Sequence, residues 1–397
     1  MSSSPSQPLA GRRIWIAGIG GAGMSGYALL ARAWGAEVAG WDRVETPYLR
    51  HLDDVAVEIS PDPPSPPPGW EAYVSTAFAG RVDGRPRADL LAELVHERRT
   101  IVVAGAHGKT TTTAMIAFCL DQLGLDPAFL IGADVPQLGG NARAGSGWLV
   151  VEGDESDRSI AALRPEIAVL LNVDLDHHTT FASRAEVAAF FEDWLRDVPH
   201  VVRAEELEPV DLALAVPGDH NRRNAAAALA VLELAGVSRT DAEAALLEFR
   251  GAGRRLEPRG EAGGVTVLDS YAHHPAELAA DLAAVRNGGR LLALFQPHLY
   301  SRTLHLAHGF AKTLADADAA CVTEIYPARE EPLAGVTGRL VVDELARLRP
   351  GMRIGWAPEL DDAARLVAGW ARPGDTVLTL GAGDVDRAAQ LILEALA

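Results

Sequence analysis

The stretch Thr100–Thr113, TIVVAGAHGKTTTT, limits what this chain can become more than any other. The β-branched and apolar run Ile101–Ala104 predicts a buried parallel strand. A glycine turn follows, then a helical pattern from Ala114 to Leu123. At such a strand–turn–helix junction the backbone N–H groups converge on one point, where the helix dipole favours negative charge. Gly105 and Gly108 let the backbone approach a phosphate. Lys109 can reach the outer phosphates of a nucleotide, and the Thr110 hydroxyl can hold a magnesium ion. His107 and Thr111 belong to the same loop. The strict pattern G-x-x-x-x-G-K-[ST] would put glycine at 103, where this chain has Val103. A glycine turn with a chance lysine would read much the same. Yet Lys109 and Lys312 are the only lysines among 36 lysines and arginines. A lysine kept here, in a chain that otherwise uses arginine, suits a compact point charge on a phosphate.

A net charge of −18 over 397 residues argues against a nucleic-acid backbone as partner. Phosphate binding must then rest on local amides and a few cations. The two cysteines, Cys119 and Cys321, lie in apolar contexts and form no disulfide framework or metal-spaced thiol cluster. A reducing cytoplasm is expected. The Ser/Pro-rich start, Met1–Ala10, reads as a loose tail rather than a signal peptide. No apolar run approaches the roughly eighteen residues of a membrane span.

Upstream of the phosphate loop, Arg13–Ala17 predicts a strand. It runs into Gly18-Ile19-Gly20-Gly21-Ala22-Gly23 and a helix from Met24 to Trp34. A second strand, Glu37–Trp41, ends at Asp42. This fits the G-x-G-x-x-G dinucleotide fingerprint, which indicates a diphosphate on a helix N-terminus without saying whose. Asp42 could hold a ribose hydroxyl or be an ordinary strand end. The proline-rich Asp62–Gly69 can only be a surface connection. Downstream, a strand over Trp148–Val151 ends in Glu152-Gly153-Asp154-Glu155-Ser156-Asp157. Another, Ile167–Leu171, ends in Asn172-Val173-Asp174-Leu175-Asp176-His177-His178. Carboxylates at strand ends beside a phosphate loop suit magnesium. Beyond Gly251-Ala252-Gly253-Arg254-Arg255, strands and helices alternate, as in a doubly wound sheet. Its strand ends carry Asp269-Ser270-Tyr271-Ala272-His273-His274-Pro275, Gln296-Pro297-His298-Leu299-Tyr300-Ser301-Arg302-Thr303 and Gly381-Ala382-Gly383-Asp384. The reading is an α/β chain of three domains: a Rossmann-like domain over 1–98, a central P-loop domain over 99–250 and a second Rossmann-like domain over 251–397.

The motifs GIGGAGMSG, AGAHGKTTTT, EGDESD, NVDLDHH, PGDHNRRNA, GRRLE, DSYAHHPAE, FQPHLYSRT and LTLGAGD, in this order, resemble those of the Mur ligases and cover all three domains. The resemblance implies an amide-bond ligase of peptidoglycan precursor synthesis, using ATP and Mg2+. It would join L-alanine to the carboxylate of UDP-N-acetylmuramate through an acyl phosphate. It further implies that Gly18, Gly20, Gly21, Ala22, Gly23, Met24, Ser25 and Asp42 face the UDP-sugar. Gly105, His107, Gly108, Lys109, Thr110, Thr111, His220, Asn224, Arg255 and Asp269 match nucleotide positions. Thr110, Glu152 and His177 match the magnesium ligands. Tyr271, His273, His298 and Arg302 match the amino-acid side, with Lys109, His273, His298 and Arg302 the expected catalytic set.

The chain departs from the family pattern at several places. Ala106 stands where threonine is usual. Ser270 replaces the second aspartate of D-D-Y-A-H-H-P, and Leu299 stands where many relatives have arginine. The segment from Phe181 to Pro217 is short, so the central domain is expected to lack peripheral strands. No lysine lies between Lys109 and Lys312, so none can serve there as the carbamylated metal bridge some Mur ligases use. Three other readings remain open: a ligase that attaches a recycled peptide to the same sugar nucleotide, a catalytically altered paralogue, and, more distantly, an NAD-dependent oxidoreductase built on GIGGAG and Asp42.

Overall fold

The computed structural model describes residues 7–176, 180–286, 288–328 and 330–397. Three sheets organise the chain, in agreement with the three-part α/β reading. The first contains β1 (Arg13–Ala17), β2 (Glu37–Asp42), β3 (Ala56–Ile59), β4 (Glu71–Val74) and β5 (Arg85–Pro86). Its order is β3-β2-β1-β4-β5, parallel throughout. The order reverses beside β1, so the crevice of this sheet opens at the glycine loop that follows β1. Helices α1 (Ala22–Ala33) and α2 (Arg87–His96) accompany it.

The second sheet contains β6 (Thr100–Ala104), β7 (Ala128–Val135), β8 (Gly140–Arg143), β9 (Leu149–Glu152), β10 (Ile167–Leu170) and β11 (His200–Arg203). Its order is β11-β10-β6-β9-β7-β8, with β8 alone antiparallel. Every residue of β6 is buried, as expected for a strand covered on both faces. Its neighbours are β9 and β10, so their C-terminal ends flank the phosphate loop on opposite sides. Helices α3 (Lys109–Gln122), α4 (Arg184–Leu195), α5 (Asp219–Leu234) and α6 (Arg239–Leu247) complete this part.

The third sheet contains β12 (Glu257–Ala262), β13 (Val265–Ser270), β14 (Leu291–Phe295), β15 (Ala319–Val322), β16 (Arg353–Trp356) and β17 (Thr376–Leu380), in the order β12-β13-β17-β14-β15-β16. Only β12 is antiparallel. The helices are α7 (Pro275–Val285), α8 (Tyr300–Leu314), α9 (Arg339–Leu348), α10 (Leu360–Ala368) and α11 (Asp386–Leu396). The adjacent strands β13, β17 and β14 end in the three polar clusters read from the sequence.

The chain forms two compact units. The residues up to Ala215 with Arg223–Arg250 make one, and Val216–Arg222 with Gly251–Ala397 the other. The first two sheets share the first unit and one continuous core. A Cβ on Gly26 of α1 would come within 2.7 Å of Leu130 on β7 and 3.0 Å of Ala142 on β8. Only glycine permits α1 to lie this close to the β7–β8 hairpin.

The structure also holds elements that the sequence reading passed over. Strand β7 runs on past Gly132 to Val135 and pairs with β8 across the glycine-containing stretch that follows. Strand β12, EPRGEA, carries charges, a proline and a glycine. Such a sequence is tolerated at an edge, where only one side of the strand must be hydrogen-bonded. Helix α8 begins at Tyr300, inside the polar cluster after β14, so Arg302 and Thr303 sit in its first turn.

Candidate functional site

The phosphate loop forms as its residue types require. Gly105 has φ +132° and Gly108 φ +85°, and a Cβ at Gly108 would stand 2.6 Å from Asn224 Oδ1. Asn224 therefore lies directly against the loop. Asn172, just past β10, holds the loop from the other side. Its Oδ1 accepts the His107 N–H and its amide donates to the His107 carbonyl, both at 2.9 Å. The His107 ring lies 3.7 Å from an Asp174 carboxylate oxygen. Thr110 and Thr111 are buried in the first turn of α3. His177 lies outside the described residues.

Lys109 donates to the Gly105 carbonyl at 2.5 Å and to Glu155, with Oε2 at 3.1 Å. Glu155 is 3% exposed. Burial alone would draw the Lys109 ammonium down, but the carboxylates of Glu155, Asp154 and Glu152 outweigh it and push it up. The lysine is thus held firmly cationic at the mouth of the loop. Glu152 lies on the β9 side. Its Oε2 accepts from the Thr110 hydroxyl at 3.1 Å and its Oε1 from the Gly132 N–H at 2.5 Å. A hydroxyl and a carboxylate side by side make the hard oxygen set that magnesium prefers. Asp154 and Asp157 turn instead to Arg87 at the start of α2, at 3.0 and 2.8 Å, and Arg87 also donates to the Tyr27 hydroxyl at 3.3 Å. The four carboxylates of EGDESD are thereby sorted: Glu152 to the threonine, Glu155 to the lysine, and the two aspartates to an arginine. The motif itself showed only that they cluster. Nothing local in the sequence marked Arg87 as their partner.

At the first glycine loop, Gly18 has φ +81° and Gly21 caps α1. Ala22 and Gly23 open the helix, and Met24 and Ser25 are buried in its first turn. Asp42 is buried, and its oxygens accept from the Gly20 N–H at 2.8 Å and the Arg43 N–H at 2.7 Å. It braces the loop from the end of β2.

In the second unit, Asp269 is 0% exposed and accepts from Thr379 Oγ1 at 2.6 Å and Arg254 Nε at 2.8 Å. Burial pushes its carboxyl up, against the opposing pull of Arg254 and Thr379. Arg254 also donates to the carbonyls of Gly381 and Gly383, at 2.8 Å each. One guanidinium thus ties the end of β13 to the loop after β17. Tyr271 carries both neighbouring arginines over its ring, Arg254 at 5.2 Å and Arg255 at 4.9 Å. His273 packs edge-on to Tyr271 and to His298, with centroids 5.4 and 5.9 Å apart. Arg302 is 4% exposed, and its Nη1 lies 3.0 Å from His298 Nδ1. An arginine can only donate, so this contact places the lone pair of His298 on Nδ1 and its proton on Nε2. Tyr271, His273, His298 and Arg302 therefore form one contiguous group. His220 belongs to the same unit, with Nε2 4.0 Å from Asp281, and burial holds its imidazole below the ordinary range. Leu299 takes φ +70° at the head of α8, an uncommon conformation for a branched residue.

Comparison with known proteins follows the same lines. Residues 103–202 match the Mur ligase middle domain and residues 254–383 the Mur ligase glutamate ligase domain. A UDP-N-acetylmuramate–L-alanine ligase of Streptomyces coelicolor is 39% identical, over 99% of each chain. That alignment runs to 469 positions, so the relative carries insertions this 397-residue chain lacks. Among solved structures, the UDP-N-acetylmuramate-alanine ligase of Thermotoga maritima is 25% identical with a TM-score of 0.78, covering 96% of this chain and 98% of that one. A murein peptide ligase of Psychrobacter arcticus shares the fold, at 22% identity and a TM-score of 0.63 over 97% and 99% of the two chains.

Proposed function

Since the chain belongs to the Mur ligase family, we propose that it joins L-alanine to the carboxylate of UDP-N-acetylmuramate, converting ATP to ADP and phosphate. The observation that carries this reading is the glycine loop after β6, with Lys109 held cationic at its mouth and Glu152 beside Thr110. A carboxylate and an amine do not condense in neutral water, so the carboxylate needs a leaving group. Its oxygen attacks the γ-phosphorus of ATP, the bond to ADP breaks, and an acyl phosphate forms. The alanine nitrogen then attacks the acyl carbon, the carbon–oxygen bond to phosphate breaks, and the amide forms with loss of a proton.

In this scheme Lys109 and the loop amides stabilise charge on the transferring phosphoryl group. Thr110 and Glu152, with His177, are the residues that would hold Mg2+, which when bound adds further neutralisation of phosphate charge. Arg302 grips the alanine carboxylate, and His273 and His298 orient the amine or take up its proton. Because neutral His298 presents its lone pair to Arg302, His273 is the better placed of the two to accept a proton. The first glycine loop receives the UDP diphosphate. A reaction that draws on ATP and a nucleotide sugar belongs in the cytoplasm, and no helix among the described residues is long and apolar enough to cross a membrane.

The test is phosphate release with UDP-N-acetylmuramate and ATP, with L-alanine in one arm and a stem peptide in the other. Release that depends on L-alanine supports the reading. Release only with the peptide assigns the chain to peptide recycling, and release with neither removes the ligase reading.

Two variants refine the roles. Glu152→Gln should raise the magnesium concentration needed for half-maximal rate about tenfold. Combined with Thr110→Val the effect should fall well short of additive, because both residues serve one ion. Fully additive effects would separate them. Arg302→Lys should raise the apparent KM for L-alanine far more than that for ATP, since an ammonium cannot reproduce two parallel hydrogen bonds to a carboxylate. Superimposable L-alanine titrations of the two proteins would remove Arg302 from the amino-acid site.

A further inference from the structure

Asp281 on α7 is a buried carboxyl, 9% exposed, for which the chemistry above has no use. It stands against the turn that carries Tyr271 and His273. Its Oδ2 accepts from the Ser270 hydroxyl at 2.5 Å, and Ser270 Oγ in turn accepts the Ala272 N–H at 3.1 Å. Ser270 is itself 1% exposed. A hydrogen-bonded relay therefore runs from a helix carboxyl, through a hydroxyl, into the backbone of the turn. Other ties also hold the turn: Tyr271 N–H donates to the Arg254 carbonyl at 2.7 Å, His273 Nδ1 lies 3.0 Å from the Tyr271 carbonyl, and Glu277 accepts the His273 N–H at 3.0 Å. Ser270 occupies the position where the family pattern carries an aspartate. Here a carboxylate reaches the same spot from eleven residues along the chain.

We infer that Asp281 is a positioning residue for the amino-acid side of the site, acting in its ionised form through Ser270 to fix the turn that presents Tyr271 and His273. This rests on the ligase reading above for what the turn binds, though not for the relay itself.

The groups around Asp281 set when it ionises. Ser270 faces it from the end of β13, Glu277 from one turn earlier on α7, Arg255 from the segment before β12, and His220 from the start of α5. Burial disfavours the charge and Glu277 repels it, while Ser270 and Arg255 favour it. The carboxyl is pushed up from 3.8 to about 7. A hydroxyl donates more strongly to a carboxylate than to a carboxylic acid, so the turn tightens as pH rises through 7. The stability consequence runs the other way. A carboxyl with a raised folded pKa holds its proton in the folded state after the unfolded chain has released it, so folding stability falls as pH climbs from about 4 to about 7.

The experiment uses the full chain, with Asp281→Asn as the neutral side chain that still accepts from Ser270 and Ser270→Ala as the break in the relay. Hydrogen exchange of the Ala272 amide, corrected for intrinsic rates, is followed from pH 6 to 8, alongside the KM for L-alanine at saturating ATP. In the wild type, Ala272 protection should rise and KM fall across this range. Asp281→Asn should flatten both trends. Ser270→Ala should lower protection and flatten the pH trend of KM, with KM about tenfold above wild type at pH 8, where Asp281 is ionised, and closer to it at pH 6; tenfold is the loss expected for one charge-assisted hydrogen bond. If the ratio of Asp281→Asn to wild-type KM does not change with pH, Asp281 is not a positioning residue, and unchanged Ala272 protection in Ser270→Ala removes the relay. A wild type without alanine-dependent turnover overturns the ligase reading instead, and the exchange arm still decides whether the relay exists. Should Asp281→Asn fail to fold, the Ser270→Ala comparison and the wild-type exchange profile decide alone.

Discussion

Replacing Lys109 with alanine is expected to lower ATP-dependent phosphate release by about a hundredfold or more, the effect of removing one pre-aimed charge from a phosphoryl-transfer transition state. The loop geometry makes this a sharp test. Lys109 is fixed by the Gly105 carbonyl and by Glu155, so the ammonium is positioned before any substrate arrives. The same contact defines the control. Alanine at 109 removes the Lys109 ammonium from Glu155, which is 3% exposed, and taking a cation away from a buried carboxylate destabilises the fold. The double variant Lys109→Ala/Glu155→Gln removes that penalty without restoring the charge. It should recover stability in thermal unfolding and remain as inactive as the single variant. Near-normal turnover in either protein would remove Lys109, and with it the phosphate-loop reading, from the mechanism.

The second large effect is structural. Arg254→Ala should destabilise the unit that contains the third sheet by about 3 kcal/mol. That is the lower end of what breaking a buried ion pair costs when one partner stays behind. The low end applies because burial already pushes the Asp269 carboxyl up, so it can take a proton once Arg254 is gone. The loss should appear as faster hydrogen exchange in β13 and β17, the two strands whose ends the guanidinium ties together. Arg254→Ala/Asp269→Asn should regain part of it. An exchange pattern in β13 and β17 indistinguishable from wild type would mean that Thr379 and the strand ladder hold Asp269 without help.

These two residues also mark how far the sequence could be read. Lys109 was legible because its meaning is local: strand, glycines, lysine and helix lie in unbroken order, and the loop folds as that order dictates. The clustering of Glu152 with the loop was legible for a similar reason, since parallel strands must deliver their C-terminal ends to one edge. Arg254 stood out only as part of the stretch Gly251–Arg255 that opens the third domain. Its three roles depend on Asp269, on β13, and on Gly381 and Gly383, more than a hundred positions away, and no spacing rule connects them. Arg87 and Asp281 were missed altogether. Each acts through a partner brought near by sheet order and helix packing. The hairpin β7–β8 was hidden for a different reason. Its outer strand, GNAR, has almost no intrinsic strand preference and takes its shape from pairing with β7.

The contact of Gly26 with Leu130 and Ala142 has a consequence for the order in which the chain is made. Helix α1 leaves the ribosome with its close-packing face bare. The hairpin that covers this face is completed only at Arg143, about a hundred residues later, which at roughly 5–20 residues per second means about 5–20 seconds of exposure. For that interval the nascent first sheet offers an apolar helix face to whatever is nearby, including chaperones and other nascent chains. Its final packing must wait for the hairpin, whatever the intrinsic speed of its own five strands.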